Sequence, residues 1–597
     1  MANDKNELAP RLFTASNILL QTLVDAGITH AFVNLGSDHP SLLEAFVQRQ
    51  KDGKKSPEII TSPNEMVALS CAQGYAQVTG KPAAVIVHVD CGTQALAGAV
   101  HNVSTCRTPV LIYAGASPFT QDNELAGSRN EFIHYLQNAV DQPQIVRQYM
   151  RHVAEIRTGK NLQQVALRAL QYANSEPKGP VYLWAMREIT EEHLIEEEVP
   201  DVRTTELWSP IELSPLNKTS VARIATALAK ATKPLIVTTY AGRNHAAVEA
   251  LTRLVELTAT PVFSSCVSTV NIPFNHYAHA GVSFGQHNPL VEEADFILIL
   301  DSDVPWVPMH TKPNPAAQIF HIDCDPLKDR MAFHAFPAQL RAKADAAIAL
   351  EQITDYLTAN SSILSTDAVN ARREALVAKR ADLDRGLVEL ESAKGELTAP
   401  VIVGALRKAS EGMRTLVCNE AISNYPHVWN HFKPTQPGTC LSSGASSLGW
   451  ALGAAIGAKL AGDVFPEHAK DLIAVVVGDG SFVFGVPSAA YWMARRYNTP
   501  YLTIVLNNGG WKSPKLSMLG VHPNGVGSRA PPQDLNVSFG PEDGLNPDYG
   551  GIATAAGGAW SRKVRGVEQV EEAMREAVRV VTQEKRCALL DCWLERF

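Results

Sequence analysis

Two short polar stretches carry residues whose types and spacing could do chemistry. Gly478-Asp479-Gly480-Ser481 offers one anionic carboxylate, and Asn507-Asn508-Gly509-Gly510 offers an amide oxygen, each with glycine backbone carbonyls beside it. A hard, all-oxygen set of this kind suits magnesium, which normally also takes phosphate oxygens and water. The glycines let backbone N–H groups come close to a phosphate at or near a helix N-terminus. Together they read as a magnesium–diphosphate clamp. Asp-Gly and Asn-Gly are also common turn dipeptides, and either stretch alone would read as an ordinary turn. What favours the clamp is their placement at the ends of two successive strands.

The elements around them follow from the apolar pattern. Ile473 to Val477 is a short β-branched run, the mark of a strand buried on both faces. A helix is expected from Pro487 to Tyr497, with proline near its start. Tyr501 to Leu506 is a second buried strand. Two strands joined by a helix are parallel, with a right-handed crossover. Both polar stretches then lie at one edge of the sheet, outside the strand C-termini, where open α/β sheets bind ligands.

Three further side chains stand at comparable places in the first third of the chain. Ser37 lies in Gly36-Ser37-Asp38-His39, after a strand expected over Ala31 to Leu35 and before a helix from Pro40 to Gln50. Glu65 follows the short strand Ile59-Ile60, in Ser62-Pro63-Asn64-Glu65. Read locally, Ser62, Pro63 and Glu65 are the Ncap, N1 and N3 residues of a helix ending at Gly80, so Glu65 could simply close a capping box. His88 ends the strand Ala83 to Val89, where it could be a proton carrier or a histidine bonded to backbone. Ser37 could equally be a turn or cap serine. His39 and His101 read as structural.

Length and charge bound the rest. At 597 residues the chain is too long for one core. A net charge of −8 gives no basic footprint for nucleic acid or an anionic membrane. The nine cysteines are scattered with no CxxC pair, as in reduced core positions of a cytoplasmic protein. No run is long and apolar enough to span a bilayer, and MANDKNELAPRL has neither secretory nor transit character. Arg11 to Ala26 is read as an amphipathic helix, Arg147 to Ala173 as a helical region and Pro180 to Ala185 as a closing strand. A charged, proline-containing linker follows. The segment 216–355 repeats the α/β alternation, with strands at Pro234 to Thr239, Pro261 to Ser264, Phe296 to Leu300 and Gln318 to Ile322. It contains no GxGxxG fingerprint. Asp367 to Lys394 is a long charged helix, and Pro400 begins the last α/β unit. The Gly- and Pro-rich stretch after Asn508 is longer than a usual connection and reads as a functional loop opened by Trp511 and Lys512. The fold class is α/β, with three doubly wound parallel-sheet domains at 1–190, 216–355 and 397–597, joined by 191–215 and 356–396.

Gly478-Asp479-Gly480, then 26 residues, then Asn507-Asn508 resembles the thiamine diphosphate signature of the acetolactate synthase and 2-oxo acid decarboxylase superfamily. The resemblance covers nearly the whole chain. It implies that the three domains are pyrimidine-binding, central and diphosphate-binding. It also implies that Asp479, Asn508 and the Gly510 carbonyl ligate Mg2+, and that Gly480 and Ser481 touch the cofactor diphosphate. Glu65 precedes Ala72 to Ala76 (AQGYA), which is similar to the family's ADGYA. The family's glutamate hydrogen-bonds the aminopyrimidine ring and so promotes formation of the thiazolium ylid. A buried glutamate there should have its pKa raised by desolvation. Around Gly92-Thr93 and Thr108-Pro109-Val110 the chain resembles benzoylformate decarboxylase, which places His88 and Ser37 on its active-site histidine and serine. His310, in a loop of different length, falls near a second histidine of that enzyme. Leu448 falls on the apolar residue that wedges the cofactor. The Ser446 carbonyl falls where the cofactor amine is accepted, at a position that is commonly glycine in relatives.

The arginine-rich pattern that acetolactate synthases use around flavin is missing from DSDVPWVPMH, so FAD is disfavoured. The implied activity is decarboxylation of a 2-oxo acid with aldehyde release or carboligation, in a homodimer or homotetramer with active sites at subunit interfaces. Alternatives are an acetolactate synthase-like or 2-hydroxyacyl-CoA lyase-like enzyme, or a non-catalytic scaffold. A scaffold would need none of Glu65, Asp479 and Asn508.

Overall fold

The computed structural model describes residues 12–199, 205–333, 335–392, 395–540 and 545–597. The expected helix start at Arg11, part of the linker (200–204) and the end of the charged helix at Lys394 lie outside the described residues. Between them the chain forms three six-stranded sheets in which every pairing of strands is parallel. Among the described residues no helix is long and apolar enough to cross a membrane.

The first sheet is built from β1 (His30–Val33), β2 (Glu58–Thr61), β3 (Ala83–Val87), β4 (Val110–Ala116), β5 (His152–Glu155) and β6 (Val181–Met186), in the order β2-β1-β3-β4-β6-β5. The central sheet holds β7 (Pro234–Thr238), β8 (Val262–Ser265), β9 (His279–Ser283), β10 (Phe296–Leu300), β11 (Gln318–Asp323) and β12 (Leu340–Lys343), in the order β12-β11-β10-β7-β8-β9. The third holds β13 (Thr415–Glu420), β14 (Cys440–Ser442), β15 (Leu472–Gly478), β16 (Leu502–Asn507), β17 (Trp560–Val564) and β18 (Ala588–Trp593), in the order β14-β13-β15-β16-β18-β17. These are the doubly wound α/β sheets expected from the alternation of apolar runs and amphipathic helices. The chain divides into two compact units at Ile211, the first sheet in one and the other two sheets in the second.

Inner strands are sealed on both faces. Ile473 to Val477 in β15 and Ile504 to Leu506 in β16 are all buried. Full burial stabilises each such aliphatic side chain by roughly 1.5–3 kcal/mol. The small-residue helix Ala451–Val464 packs on β15 and buries eleven of its fourteen residues. Gly and Ala let its backbone come close to the sheet.

Several sequence-based boundaries change. Arg147 to Ala173 is not one helical region: it contains β5, and its helix is Leu162–Asn174. β4, β9, β12, β14 and β17 were not anticipated. Gly478 to Ser481 is not a free turn, because Asp479–Phe484 is itself a short helix that starts as β15 ends. The stretch after Asn508 is not a plain loop either: Lys512–Val521 is a helix entered from Trp511. Ser62 is not an Ncap. Asn64 holds that position and accepts the N–H of Val67, which makes Glu65 the first helical residue.

Candidate active site

In the third sheet β15 and β16 pair in register from Ala474 opposite Leu502 to Gly478 opposite Leu506. Asp479 and Asn508 therefore emerge side by side just past the paired strands. The Asp479 side chain is almost fully buried and is held by three backbone donors. Its Oδ1 accepts the Gly480 N–H at 2.8 Å, and its Oδ2 accepts those of Gly509 at 2.7 Å and Gly510 at 2.9 Å. Burial pushes its pKa up to about 6, against the pull of these donors and of Arg596. Asn508 Oδ1 is buried with no hydrogen-bond partner among the described residues. An orphaned acceptor costs about 1–3 kcal/mol.

A carboxylate with lone pairs to spare beside an unmatched amide oxygen is the donor set a divalent cation relieves. The cation would also favour the ionised carboxylate. The residues present thus fit Mg2+. Gly510, whose N–H faces Asp479, sits at φ +151°, and a Cβ there would lie 2.1 Å from the Val537 carbonyl oxygen. Gly480 and Ser481 are buried in the first turn of the Asp479–Phe484 helix, and the Trp511 ring closes over Gly480, where a Cβ would meet it at 2.2 Å.

Two residues of this half-site escaped the sequence reading. Arg596 packs its guanidinium against Gly509, placing a cation beside Asp479. Glu420, the last residue of β13, is buried, and its carboxylate accepts the N–H groups of Gly449 and, at 2.7 Å, of Ala451. It thereby fixes the loop carrying Ser446, which is exposed, and Leu448, which is half-buried. A carboxylate closing an otherwise apolar strand is the signal that could have found it.

Burial drives the Glu420 carboxyl up to about 7, with the backbone N–H groups of Ala451, Gly449 and Trp450 opposing. A raised folded-state pKa means stability that is full below the unfolded glutamate value and lost as pH rises through the folded one. Unfolding free energy should therefore fall by up to ~3 kcal/mol between pH 4.5 and pH 7 on this account. Denaturant titrations across that range should show the slope in the parent and a flatter profile in Glu420→Gln.

The first sheet carries the other half-site. Glu65 is half-buried at the start of its helix. Burial raises its pKa above the ordinary glutamate value, and its own backbone N–H, His88 and a hydrogen bond with Asn34 offset this only in part. Gly92 leaves room for it, since a Cβ there would lie 3.3 Å from Glu65 Oε1. His88 caps the helix Val89–Ala95 and turns its Nδ1 to Asp38 Oδ1, while its Nε2 lies 3.1 Å from Gln137 Oε1. Both ring nitrogens thus face oxygen acceptors, which suits the imidazolium. Burial opposes that charge, but Asp38 and Gln137 outweigh it and raise the His88 pKa.

Asp38, which the sequence reading passed over, also lies 2.9 Å from His39 Nδ1 and accepts the Val89 N–H at 3.2 Å. Burial works against its ionised form, yet His39 and His88 hold its carboxyl well below the usual carboxylate range. Ser37 is half-buried, its Oγ 3.2 Å from His134 Nε2 and its carbonyl accepting Arg187 Nη1 at 3.0 Å. Glu65, His88 and Ser37 thus share one sheet edge. His310 belongs to the second unit, exposed in a turn of the central domain where its N–H donates to the Val307 carbonyl at 2.9 Å.

The place of the His88 ring depends on Gly36, where a Cβ would sit 2.2 Å from Nδ1. Gly36→Ala should displace the ring and cost ~1–3 kcal/mol through overpacking. It should also lower turnover more than the loss of folded protein explains. Parallel melting curves and kcat on folded protein check this.

The thiamine pyrophosphate enzyme N-terminal TPP binding domain matches residues 13–145, the central domain 221–353 and the C-terminal TPP binding domain 421–592. The chain is 24% identical over 510 residues to acetolactate synthase of Bacillus subtilis, covering 83% of this chain and 81% of that one. It is 25% identical over 502 residues to benzoylformate decarboxylase of Pseudomonas aeruginosa, covering 81% and 84%. Its fold matches the thiamine diphosphate-dependent 4-hydroxybenzoylformate decarboxylase of Rhodococcus jostii RHA1 with a TM-score of 0.73 at 21% identity, covering 98% and 99%. With all three domain types matched in order along the chain, the protein belongs to the thiamine pyrophosphate enzymes.

Proposed function

We propose that the protein uses thiamine diphosphate and Mg2+ to decarboxylate a 2-oxo acid, releasing an aldehyde or joining the same carbon to a second carbonyl. The observation that carries this reading is His88, held as a proton donor by Asp38 and Gln137 at the same sheet edge as Glu65. When bound, the cofactor supplies an electron sink for the pair left as a bond next to a carbonyl breaks. The protein's residues do the rest. Asp479, Asn508 and the Gly510 carbonyl hold the metal, and Gly480 and Ser481 take the diphosphate. Leu448 and the Ser446 carbonyl set the cofactor's conformation.

Glu65, its carboxyl pKa raised by burial, would hold a proton there for the cofactor's ring when the cofactor is bound. His88 delivers one from Nε2 to the reacting carbon, work worth typically 10²–10⁴ in rate. Ser37 Oγ orients the substrate carboxylate. His310, exposed in its turn, is a second proton donor in this reading. By family analogy the two half-sites of a working centre come from two subunits, so the assembly is a homodimer or homotetramer.

The test is incubation of purified protein, thiamine diphosphate and magnesium with aliphatic and aromatic 2-oxo acids, following CO2 and identifying products by mass spectrometry. Aldehyde or acyloin with CO2 is expected. No CO2 from any acid with cofactor bound would overturn the reading and favour acyl-CoA cleavage or a scaffold. A second reading, an acetolactate synthase-like ligase, is supported by similarity to that relative about equal to that for the decarboxylase. A 2-hydroxy-3-oxo acid product would favour it.

A further inference from the structure

Gln137 closes the loop that follows β4, and two adjacent residues past β6 hold that loop in place. Glu188 Oε1 accepts the N–H groups of Phe119 at 2.8 Å and Thr120 at 2.7 Å. Arg187 donates Nε to the Gly127 carbonyl at 2.8 Å and Nη2 to Asn130 Oδ1 at 2.9 Å. Both anchors are buried. At the far end Ser117 Oγ donates to the Gln137 carbonyl, and the Gln137 N–H donates to the Ile133 carbonyl at 2.8 Å. Phe132, Tyr135, Leu136 and Val140 on either side are exposed, whereas Gln137 is half-buried with its side chain turned to His88.

The amide is engaged at both ends. Gln137 Oε1 lies 3.1 Å from His88 Nε2, and Gln137 Nε2 donates to Cys91 Sγ at 3.7 Å. With Nδ1 held by Asp38, Nε2 is the ring nitrogen that can deliver a proton, and Gln137 is the partner the protein gives it. A hydrogen bond to a charged group of this kind makes the unbonded N–H about ten- to a hundredfold rarer than the bonded one. What that costs the reaction depends on the atom that takes Gln137's place. A carbonyl or alkoxide oxygen can accept the same hydrogen bond. Carbon is a poor acceptor, so proton transfer to carbon has to break the bond to Gln137 with nothing in return.

We propose that Gln137 decides between the two products of the proposed reaction: it delays protonation of the reacting carbon by His88 and so favours joining to a second carbonyl. The inference rests on His88 acting as the proton donor. In aldehyde formation the His88 Nε2–H bond breaks, a C–H bond forms with the electron pair left when CO2 departs, and water reprotonates the ring. In joining, the same pair forms a C–C bond, and the oxygen of the second carbonyl takes the Nε2 proton. Gln137 is a positioning residue in both, because it acts through His88.

The titratable groups that face His88 are Asp38 and His39 ahead of the helix Pro40–Lys51, Glu65, and Asp90 on its own helix. Gln137→Leu leaves all of these in place and removes one neutral acceptor. Exchange of the His88 Cε1 hydrogen with deuterium, read by peptide mass spectrometry on cofactor-free protein, measures the His88 pKa. It should fall by about one pH unit in Gln137→Leu and rise by about as much in Gln137→Glu. Both variants keep the loop's backbone anchors and should fold. Products are then compared at a pH below these pKa values, with thiamine diphosphate, magnesium, pyruvate or benzoylformate as donor and acetaldehyde as acceptor. The parent should release acyloin as well as aldehyde. The aldehyde-to-acyloin ratio should rise at least about tenfold in Gln137→Leu and fall in Gln137→Glu. An unchanged ratio in both variants, a His88 pKa that moves in neither, or a parent that makes aldehyde alone would overturn the proposal and leave the decarboxylase reading standing. No CO2 from any 2-oxo acid would overturn that reading as well.

Discussion

Glu65→Gln should lower kcat by about 10²–10⁴ while leaving the fold and cofactor binding intact. The structure separates these effects. Had Glu65 been the third residue of a capping box, its loss would have unravelled the start of the helix. Instead Asn64 supplies the cap, accepting the Val67 N–H at 3.1 Å. What Glu65 gives the helix is a first-turn charge worth ~0.3–1 kcal/mol. Its carboxyl is half-buried, raised in pKa, and faces the space kept open by Gly92. Glutamine preserves size and polarity but cannot exchange a proton. Turnover of the best 2-oxo acid, a melting curve and a thiamine diphosphate titration on one preparation decide the matter. Turnover close to the parent's would remove Glu65 from the chemistry. A large drop in melting temperature would return it to a structural role.

Asp479→Asn should weaken magnesium-dependent thiamine diphosphate binding by on the order of 100-fold, ~3 kcal/mol. Three backbone donors, from Gly480, Gly509 and Gly510, point at this carboxylate. An amide offers one oxygen in place of two and turns an NH2 group toward at least one of these donors. It also removes the charge that faces the cation. Asn508 Oδ1, already without a partner, would then be the main side-chain oxygen left at the site. Calorimetry with thiamine diphosphate in magnesium, repeated after chelation, measures the effect. In the parent, chelation should produce a loss of similar size. In the variant it should add little, because the metal's main ligand is already gone. Equal affinities for parent and variant in magnesium would mean that Asp479 is not the metal's anchor.

The sequence by itself determined most of the inner strands and the polar residues that end them. β3, β10, β15 and β16 are sealed on both faces, so their residues form continuous apolar runs. The polar residue that ends such a run must lie at the sheet's edge, which is why Asp479, Asn508 and His88 were legible. The strands that went unread are the edge strands β5, β9, β12, β14 and β17, together with the inner strand β4, whose apolar run follows directly on Thr108-Pro109. Most of them have half-exposed or alternating burial, and β14 spans just three residues. An edge strand is defined by its neighbour's unpaired backbone, and its own side chains need no unbroken apolar run.

Tertiary structure alone decided the rest. Nothing in Ser37-Asp38-His39 says that Asp38 reaches fifty residues along the chain to grip His88, or that Gly36 and Gly115 must lack side chains to let it. Nothing in the tail of β13 says that Glu420 will tie down the loop of Leu448. A carboxylate's role depends on which donors surround it, and those donors come together only when distant segments pack.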